Sequence, residues 1–180
     1  MLPDLPQTYY LDNVLTLLEH VSSVYADILE PEQIEFLEQF SALDPDAQKL
    51  CIRLFNRSHD CYRASKLNYP EIESIEAALA QLAQAGFVAL DDDIDEAELL
   101  SLFTKAELLA RAKDTPALNK LRRDQLEATL LQNDSSWFAE LAASDCLIQL
   151  RRRDDYLLLQ MLFFGNLNQS MTDFVLRDLG

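Results

Sequence analysis

The sequence is poor in the residues that turn a chain. Only three glycines and six prolines occur among its 180 residues, whereas a protein of many short strands needs turn residues at frequent intervals. Leu, Ala, Glu and Gln are common and lose little conformational freedom in a helix. Because 49% of the residues are hydrophobic, the chain can bury a substantial core. We therefore predict an all-α, mainly helical protein with little strand.

Cysteine and long apolar runs are also scarce. The three cysteines form an odd set with no C-x-x-C spacing, and the residues after Met1 lack the features of a signal peptide. The longest strongly apolar run, Tyr156 to Phe164, is less than half the length of a membrane-spanning helix. These absences predict a reduced, cytoplasmic protein with no membrane contact.

Basic residues are absent from the first part of the chain. No lysine or arginine precedes Lys49, although that stretch carries ten acidic residues. Because the net charge is −16, nucleic acid is repelled at long range and only a local basic patch can bind an anion. Thirteen of the fifteen basic residues lie in three blocks: Lys49, Arg53, Arg57, Arg63 and Lys66; Arg111, Lys113, Lys120, Arg122 and Arg123; and Arg151, Arg152 and Arg153.

The apolar spacing in the first half predicts four helices. They run from about Thr8 to Leu29, from Pro31 to Phe40, onward from the N-cap Asp44, and from about Ile75 to a stop at Gly86. Lys49, Arg53 and Arg57 form an i, i+4, i+8 row opposite the apolar face of the third helix, so we expect them to be exposed. A short strand at Phe87 to Leu90 completes the element order of a winged-helix unit, an order that also occurs in many helical bundles.

A second helical pair is predicted beyond an acidic run, Asp91 to Glu96, which we interpret as a solvated linker. Thr104 and Glu107 fit a capping box for one helix. After an extended turn, Asn119 is a suitable N-cap for a second helix that reaches Gln132. The second basic block lies at this turn, where the N–H groups and dipole of the second helix favour a phosphate.

The remaining residues predict a C-terminal helical segment. Apolar helices are expected around Leu147 to Leu150, Tyr156 to Phe164 and Met171 to Leu179. No element follows Gly180 to cover the last of them, so we expect a longer parent protein. Arg151 to Arg153 precede Asp154 and Asp155, and intramolecular ion pairs are the alternative to ligand binding for this block.

Several segments resemble one known family. They are Tyr9-Tyr10-Leu11, Lys49 to Arg57, Lys66 to Tyr69 with Glu71-Ile72, and Leu79 to Phe87. Their order and spacing resemble the N-terminal part of the Fanconi-associated nuclease family, the VRR-NUC structure-specific DNA repair nucleases. Leu108 to Leu131 resembles that family's SAP-like pair of DNA-binding helices. Phe163 to Gly180 resembles the segment that leads into its helical repeats.

The resemblance implies a domain order. Residues 1–90 would form a helical, winged-helix-like domain, 91–98 an acidic linker, 99–133 a SAP-like DNA-binding domain, and 134–180 a helical segment leading toward the helical-repeat and nuclease regions. The family's nuclease domain cuts 5′ flaps, acts as a 5′–3′ exonuclease in interstrand crosslink repair, and uses Mg²⁺ or Mn²⁺. That domain lies outside these 180 residues, so no cofactor is expected in this chain.

The function implied is non-catalytic DNA binding. The expected partners are branched or flapped duplex DNA and the helical-repeat and nuclease regions outside the chain. The residues expected to contact phosphates are Lys120, Arg122, Arg123, Arg111, Lys113, Lys49, Arg53, Arg57, Arg63 and Lys66. The alternative function is an acidic helical module that binds a basic protein and has no role on DNA.

The residues themselves also argue against catalysis within the chain. A nuclease of this class needs carboxylates on a metal ion and a lysine two residues after one of them. None of the five lysines has an acidic residue two positions before it. His59 and Cys61 lack the further ligands that zinc requires. We therefore predict no catalytic and no metal-binding residues.

Overall fold

The structure, a computed structural model, describes residues 8–112 and 117–165. Its elements, in chain order, are α1 (Tyr9–Val24), α2 (Pro31–Ser41), α3 (Pro45–Phe55), β1 (Cys61–Arg63), α4 (Ile75–Gln84), β2 (Val88–Leu90), α5 (Glu96–Ser101), α6 (Lys105–Arg111), α7 (Arg123–Leu130), α8 (Ser135–Ala142), β3 (Leu147–Leu150) and α9 (Arg153–Phe164). The helix predicted at Met171 to Leu179 lies outside the described residues. The prediction of a mainly helical, winged-helix-like fold is confirmed, since the strands form only one small sheet.

Internal contacts divide the chain into two units. The first unit contains Met1–Ser58, Asn68–Val88 and Leu150–Gly180, and the second contains His59–Leu67 and Ala89–Gln149. The chain therefore passes between the units more than once. The domain limits inferred from the sequence stay a prediction.

Local signals set several helix limits in the first unit. Pro45 is the first residue of α3, where its missing N–H leaves no hydrogen bond unmade. The Ser74 hydroxyl caps α4 by accepting a hydrogen bond from the Ala77 N–H at 3.2 Å. Gly86 follows α4 with a φ of 76°, a conformation that glycine adopts without a steric penalty. The predicted end of this helix is therefore confirmed.

The core of the first unit is aromatic. Five aromatic side chains are buried there: Phe36 and Phe40 from α2, Phe55 from α3, Tyr156 from α9, and Phe87, which directly precedes β2. The Phe36 and Phe87 rings meet edge to face with 5.2 Å between their centroids. These rings fix α2, α3 and α9 around one centre.

The first helix is shorter than predicted. It ends at Val24, and the Tyr25 N–H still donates to the Val21 carbonyl as the cap. Ile28, which lies within the predicted helix, is 63% exposed. The serines before Val24 weaken the helix at this point, because Ser is a poorer helix former than Leu or Ala.

The sheet contains two strands that the sequence did not predict. β1 pairs antiparallel with β3, with Cys61 opposite Gln149 and Arg63 opposite Leu147. The prediction of a helix around Leu147 to Leu150 is therefore wrong. A four-residue apolar run has no readable period, so pairing with β1, far away in sequence, decides its conformation.

The capping box of the second unit is confirmed. The Glu107 N–H donates to the Thr104 hydroxyl at 3.3 Å, and the Thr104 N–H donates to the Glu107 carboxylate at 2.7 Å. Together they begin α6 at Lys105.

The next helix begins later than predicted. Asn119 lies within a 3₁₀ turn at Leu118–Lys120, and α7 begins only at Arg123. In a helix started at Asn119, Leu121 would point about 140° away from Leu126. With the turn in place, Leu118 and Leu121 both pack against the apolar core that contains Leu126. The predicted extended turn is thus a 3₁₀ turn followed by an extended Leu121.

Part of the acidic run has a structural role. Asp91 accepts a hydrogen bond from the Leu147 N–H at 2.9 Å, and Asp95 caps α5 by accepting from the Ala97 N–H at 3.1 Å. Behind them, α5 to α8 enclose the apolar core of the second unit. Among residues 8–112 and 117–165, no helix has the length and hydropathy needed to cross a membrane.

Candidate nucleic-acid interface

The first basic row is less exposed than its spacing suggested. The Lys49 side chain is only 14% exposed, since its ammonium lies 2.7 Å from Asp46 and 3.1 Å from the Glu71 carbonyl. Arg53 donates twice to one carboxylate oxygen of Glu71, at 2.9 and 2.6 Å. The expectation that this row is exposed is therefore wrong, because acidic residues of the chain itself engage Lys49 and Arg53.

Aromatic rings cover the guanidinium groups of this row. Arg53 lies 4.1 Å from the centre of the Tyr10 ring and 5.5 Å from that of Tyr69. Arg57, just past the end of α3, lies 5.6 Å from the Tyr69 ring. At these distances a guanidinium is attracted to the ring face. The two arginines, half-buried in this way, keep some exposed surface for an anion.

Glu71 is the centre of this cluster. Burial would raise the pKa of its carboxyl, but hydrogen bonds from its own backbone N–H, from Arg53 and from Tyr10 outweigh burial and hold the pKa below the ordinary value. Burial raises the pKa of Tyr10 to about 12, so its hydroxyl stays protonated and donates to Glu71 at 3.1 Å. At neutral pH the Glu71 carboxylate is therefore ionised and pairs with the Arg53 guanidinium.

Neutralising Glu71 should destabilise the first unit at neutral pH. Glu71→Gln weakens charge-assisted hydrogen bonds, each of which contributes about 1.5–3 kcal/mol. Because the folded pKa of Glu71 is depressed, its contribution is present above the unfolded pKa and is lost as the pH falls through the folded value. In urea titrations at pH 7, the free energy of unfolding of Glu71→Gln should be lower than that of the unaltered chain. The difference should become smaller in acid. Glu73→Gln, at an exposed position, is the matched control; an equal deficit there would contradict this role for Glu71.

Arg63 is buried rather than presented to solvent. It lies in β1, and its guanidinium donates to Asp145 and to Glu107, both at 2.9 Å. The Phe103 ring covers it, with 3.9 Å between the guanidinium carbon and the ring centre. Lys66 also binds Glu107 at 2.9 Å, but its side chain is 55% exposed. Of these two predicted contacts, only Lys66 has much surface open to a ligand.

The carboxylates around Arg63 are held in their charged form. Hydrogen bonds from the Thr104 N–H and then from Lys66 keep the pKa of Glu107 well below its usual range. Burial would raise the pKa of Asp145, but hydrogen bonds from Ser65 and Arg63 lower it overall. Arg63 therefore pairs with two ionised acids of the second unit, the buried Asp145 and the partly exposed Glu107.

The second basic block divides into two kinds of residue. The Arg123 guanidinium lies 2.7 Å from the Phe103 carbonyl and 2.6 Å from the Leu100 carbonyl. Arg111, Lys120 and Arg122 are exposed, and no group within residues 8–112 and 117–165 binds their side chains. Lys113 lies outside the described residues. These three side chains are the ones most open to a phosphate.

The third block includes an ion pair. Arg152 binds Asp155 at 3.2 Å, and it also donates to the Gln39 side chain at 2.5 Å and to the Glu32 carbonyl at 2.6 Å. Arg153 donates to the Arg57 carbonyl. The ion-pair alternative is therefore confirmed for Arg152, which joins α9 to α2.

Metal binding and thiol chemistry depend on the His, Cys, Asp and Glu side chains of the described residues. Among these residues, no group of three or more His, Cys, Asp or Glu side chains could hold a metal ion. Burial raises the pKa of the Cys51 thiol, and a protonated thiol is a poor nucleophile. Exposed cations such as Lys120 and Arg122 can attract an anion at this surface.

Sequence reasoning missed the role of Lys105. Its ammonium donates to the Leu121 carbonyl at 2.6 Å. A lysine in the first turn of a helix opposes the helix dipole, and that unfavourable position was the available signal.

The fold defines a class, namely a mainly helical, winged-helix-like protein with a small three-stranded sheet and exposed cations. Residues 8–89 match the family model described as "FAN1, HTH domain". The chain is 32% identical over 185 residues to the Fanconi-associated nuclease 1 homolog of Pseudomonas aeruginosa, covering 99% of this chain and 33% of that protein. It is 30% identical to human Fanconi-associated nuclease 1 over 115 residues, covering 62% of this chain and 11% of that protein.

Solved structures with similar sequences also have the same fold as this chain. A crystal structure of paFAN1 bound to 2nt 5′ flap DNA with a gap superposes with a TM-score of 0.87 and 33% identity, covering 99% of this chain and 34% of that one. A second structure, with a 1nt 5′ flap, has a TM-score of 0.83 and 29% identity, covering 97% of this chain and 33% of that one. The chain spans about a third of the length of these bacterial relatives. It belongs to the Fanconi-associated nuclease family and corresponds to the N-terminal region.

Proposed function

We propose that this chain is the DNA-binding front part of a structure-specific DNA repair nuclease. It holds branched or flapped duplex DNA through phosphate contacts, without reading sequence, and presents the duplex to a nuclease region outside the chain. Mg²⁺ or Mn²⁺ belongs to that nuclease region. The observation that carries the proposal is the match over 99% of the chain to paFAN1, which was solved on 5′ flap DNA.

The distribution of cations supports phosphate contact. Fifteen basic residues stand against thirty-one acidic ones, so an exposed cation without an acid beside it is unusual in this chain. Arg111, Lys120 and Arg122 are exposed in the second unit, and no acid within residues 8–112 and 117–165 pairs with their side chains. Phosphate contacts position a duplex without carrying a sequence code, as recognition of DNA shape requires.

Other cations contribute less in this proposal. Arg53, Arg57 and Lys66 keep partial exposure and add weaker contacts, because their charges are shared with acids or rings of the chain. Arg63 contributes through the fold, since its side chain is only 9% exposed.

Direct binding tests the proposal. A labelled 5′ flap duplex and a linear duplex of equal length are titrated with the chain at low and moderate salt, and binding is followed by fluorescence anisotropy. The flap duplex should bind weakly and without sequence preference. Each neutralised phosphate should add about −0.9 to the slope of log K against log salt. With Mg²⁺ or Mn²⁺ added, neither duplex should be cut.

Two results would overturn the proposal. Absence of flap binding at low salt would favour the alternative, an acidic module for a basic protein. Metal-dependent cleavage that disappears when a residue of this chain is changed would refute the non-catalytic role.

A further inference from the structure

We propose that Lys105 and Arg123 are positioning residues that form a clasp around the segment Leu118–Arg122, holding Lys120 and Arg122 toward solvent for phosphate contact. The inference rests on the proposed function and deepens it. It divides the second basic block into cations that touch DNA and cations that only hold the others in place.

One half of the clasp reaches backward along the chain. Arg123, the first residue of α7, donates to the Phe103 carbonyl at 2.7 Å and to the Leu100 carbonyl at 2.6 Å, at the end of α5. Its third contact, at 2.6 Å, is the Glu127 carboxylate. Carbonyls at a helix end lack intrahelical partners and carry the negative end of the dipole, so a guanidinium is a favourable cap there.

The other half reaches forward. Lys105, the first residue of α6, donates to the Leu121 carbonyl at 2.6 Å and more weakly to the Asn119 carbonyl at 3.4 Å. Since a cation in a first helical turn opposes the dipole, stability of α6 does not explain this lysine. Its contacts instead fix the backbone on both sides of Lys120.

Apolar anchors complete the arrangement. Leu118 and Leu121 pack against the core of the second unit, whereas Lys120 and Arg122 are exposed. The segment is therefore fixed by its leucines and by Lys105 on the carbonyls of Asn119 and Leu121. Arg123, the next residue, is anchored to the carbonyls of Leu100 and Phe103. Most of the donors of these two side chains are already engaged: Arg123 uses three of its five N–H donors, and Lys105 contacts two carbonyls with its three.

The two kinds of residue should affect binding differently. Loss of a phosphate contact removes a released counterion, so the salt slope becomes flatter by about 0.9. Loss of the clasp leaves the contacts available but requires the segment to be ordered on binding, at about 0.5–1.5 kcal/mol for each group immobilised. Affinity should then fall by about two- to tenfold at every salt concentration, with an unchanged slope.

The experiment compares three variants of the 180-residue chain that each remove one positive charge and keep an unbranched stem: Lys105→Met, Arg123→Met and Lys120→Met. Binding to a 5′ flap duplex is measured across a salt series, together with amide hydrogen exchange of residues 118–122 without DNA. We expect faster exchange and a parallel loss of affinity for Lys105→Met and Arg123→Met. Lys120→Met should instead flatten the slope without changing exchange. Arg123→Lys should partly restore the exchange protection.

Each outcome decides between the roles. A flattened slope with unchanged exchange for Arg123→Met would make Arg123 itself a phosphate contact and overturn the inference. Unchanged exchange in both clasp variants would also overturn it. If Arg123→Met fails to fold, Lys105→Met carries the test, because its ammonium binds the backbone carbonyls of Asn119 and Leu121. If the unaltered chain binds no flap DNA, the proposed function fails, while the exchange data still decide whether the clasp orders the segment.

Discussion

Replacement of Arg63 by methionine should destabilise the second unit by about 3–5 kcal/mol, which is the range for breaking a buried ion pair by removing one partner. Methionine keeps much of the apolar contact with the Phe103 ring but supplies no donor. The Asp145 side chain, 6% exposed, then keeps its charge without the guanidinium that compensates it. Uncompensated buried charge, rather than lost packing, is the main cost.

The measurement follows Trp137 fluorescence in urea, because the chain's one tryptophan lies on α8 in the second unit. Lys66→Gln is the matched control: it removes a cation from the same carboxylate, Glu107, at a position that is 55% exposed. Exposed ion pairs contribute about 0–1 kcal/mol, so this variant should be nearly neutral. Equal losses in the two variants would contradict a special role for the buried guanidinium.

Lowering the pH should remove most of the difference in the free energy of unfolding between Arg63→Met and the unaltered chain. The folded pKa values of Asp145 and Glu107 are both depressed. Stabilisation by these groups is therefore complete above their unfolded pKa values, near pH 4, and is lost as the pH falls through the folded values. If the loss of unfolding free energy in Arg63→Met stays constant from pH 7 into acid, the loss comes from packing instead.

Local signals in the sequence predicted local structure well. The capping box at Thr104 and Glu107 lies within four residues, so the hydrogen bonds that begin α6 could be predicted from the sequence alone. Gly86 ends α4 for a similar reason, since its left-handed backbone is a property of one residue. Both predictions hold because no distant partner is needed.

Partners far away in sequence limited the prediction of strands and sites. β1 and β3 become strands by pairing across more than eighty residues, and neither run is long enough to show a period. Helical spacing placed Arg53 on the polar side of α3 but could not show that Glu71 would neutralise it. Spacing identifies the face of a helix, whereas only the fold shows which acid lies beside it.

Because acidic residues outnumber basic ones in this chain, many of its cations bind groups of the chain itself. In this chain, Arg63, Arg123 and Arg152 bind carboxylates or backbone carbonyls of their own unit. Counting basic residues therefore overestimates the surface open to DNA. Exposed cations that have no such partner in the part of the chain that the structure describes, Lys120 and Arg122 among them, are the better guide to the proposed interface.

The double variant Lys120→Gln, Arg122→Gln should weaken flap binding most at low salt and flatten the slope of log K against log salt by about 1.8, because two phosphate contacts are lost. Stability should change little, since neither side chain binds another group in residues 8–112 and 117–165 and substitutions at such surface positions usually have small effects. Fluorescence anisotropy across a salt series measures the slope, and a urea titration checks the fold.

The control must separate lost contacts from added negative charge. Gln132→Glu combined with Asn133→Asp makes the same change of two charges at exposed positions of the same unit and removes no cation. Its added charge acts at long range and is screened by salt, so it should weaken binding only modestly at low salt. Equal effects of the two double variants would mean that net charge governs binding and that Lys120 and Arg122 touch no phosphate. A flattened slope confined to the Lys120, Arg122 variant would place the phosphate contacts on these side chains.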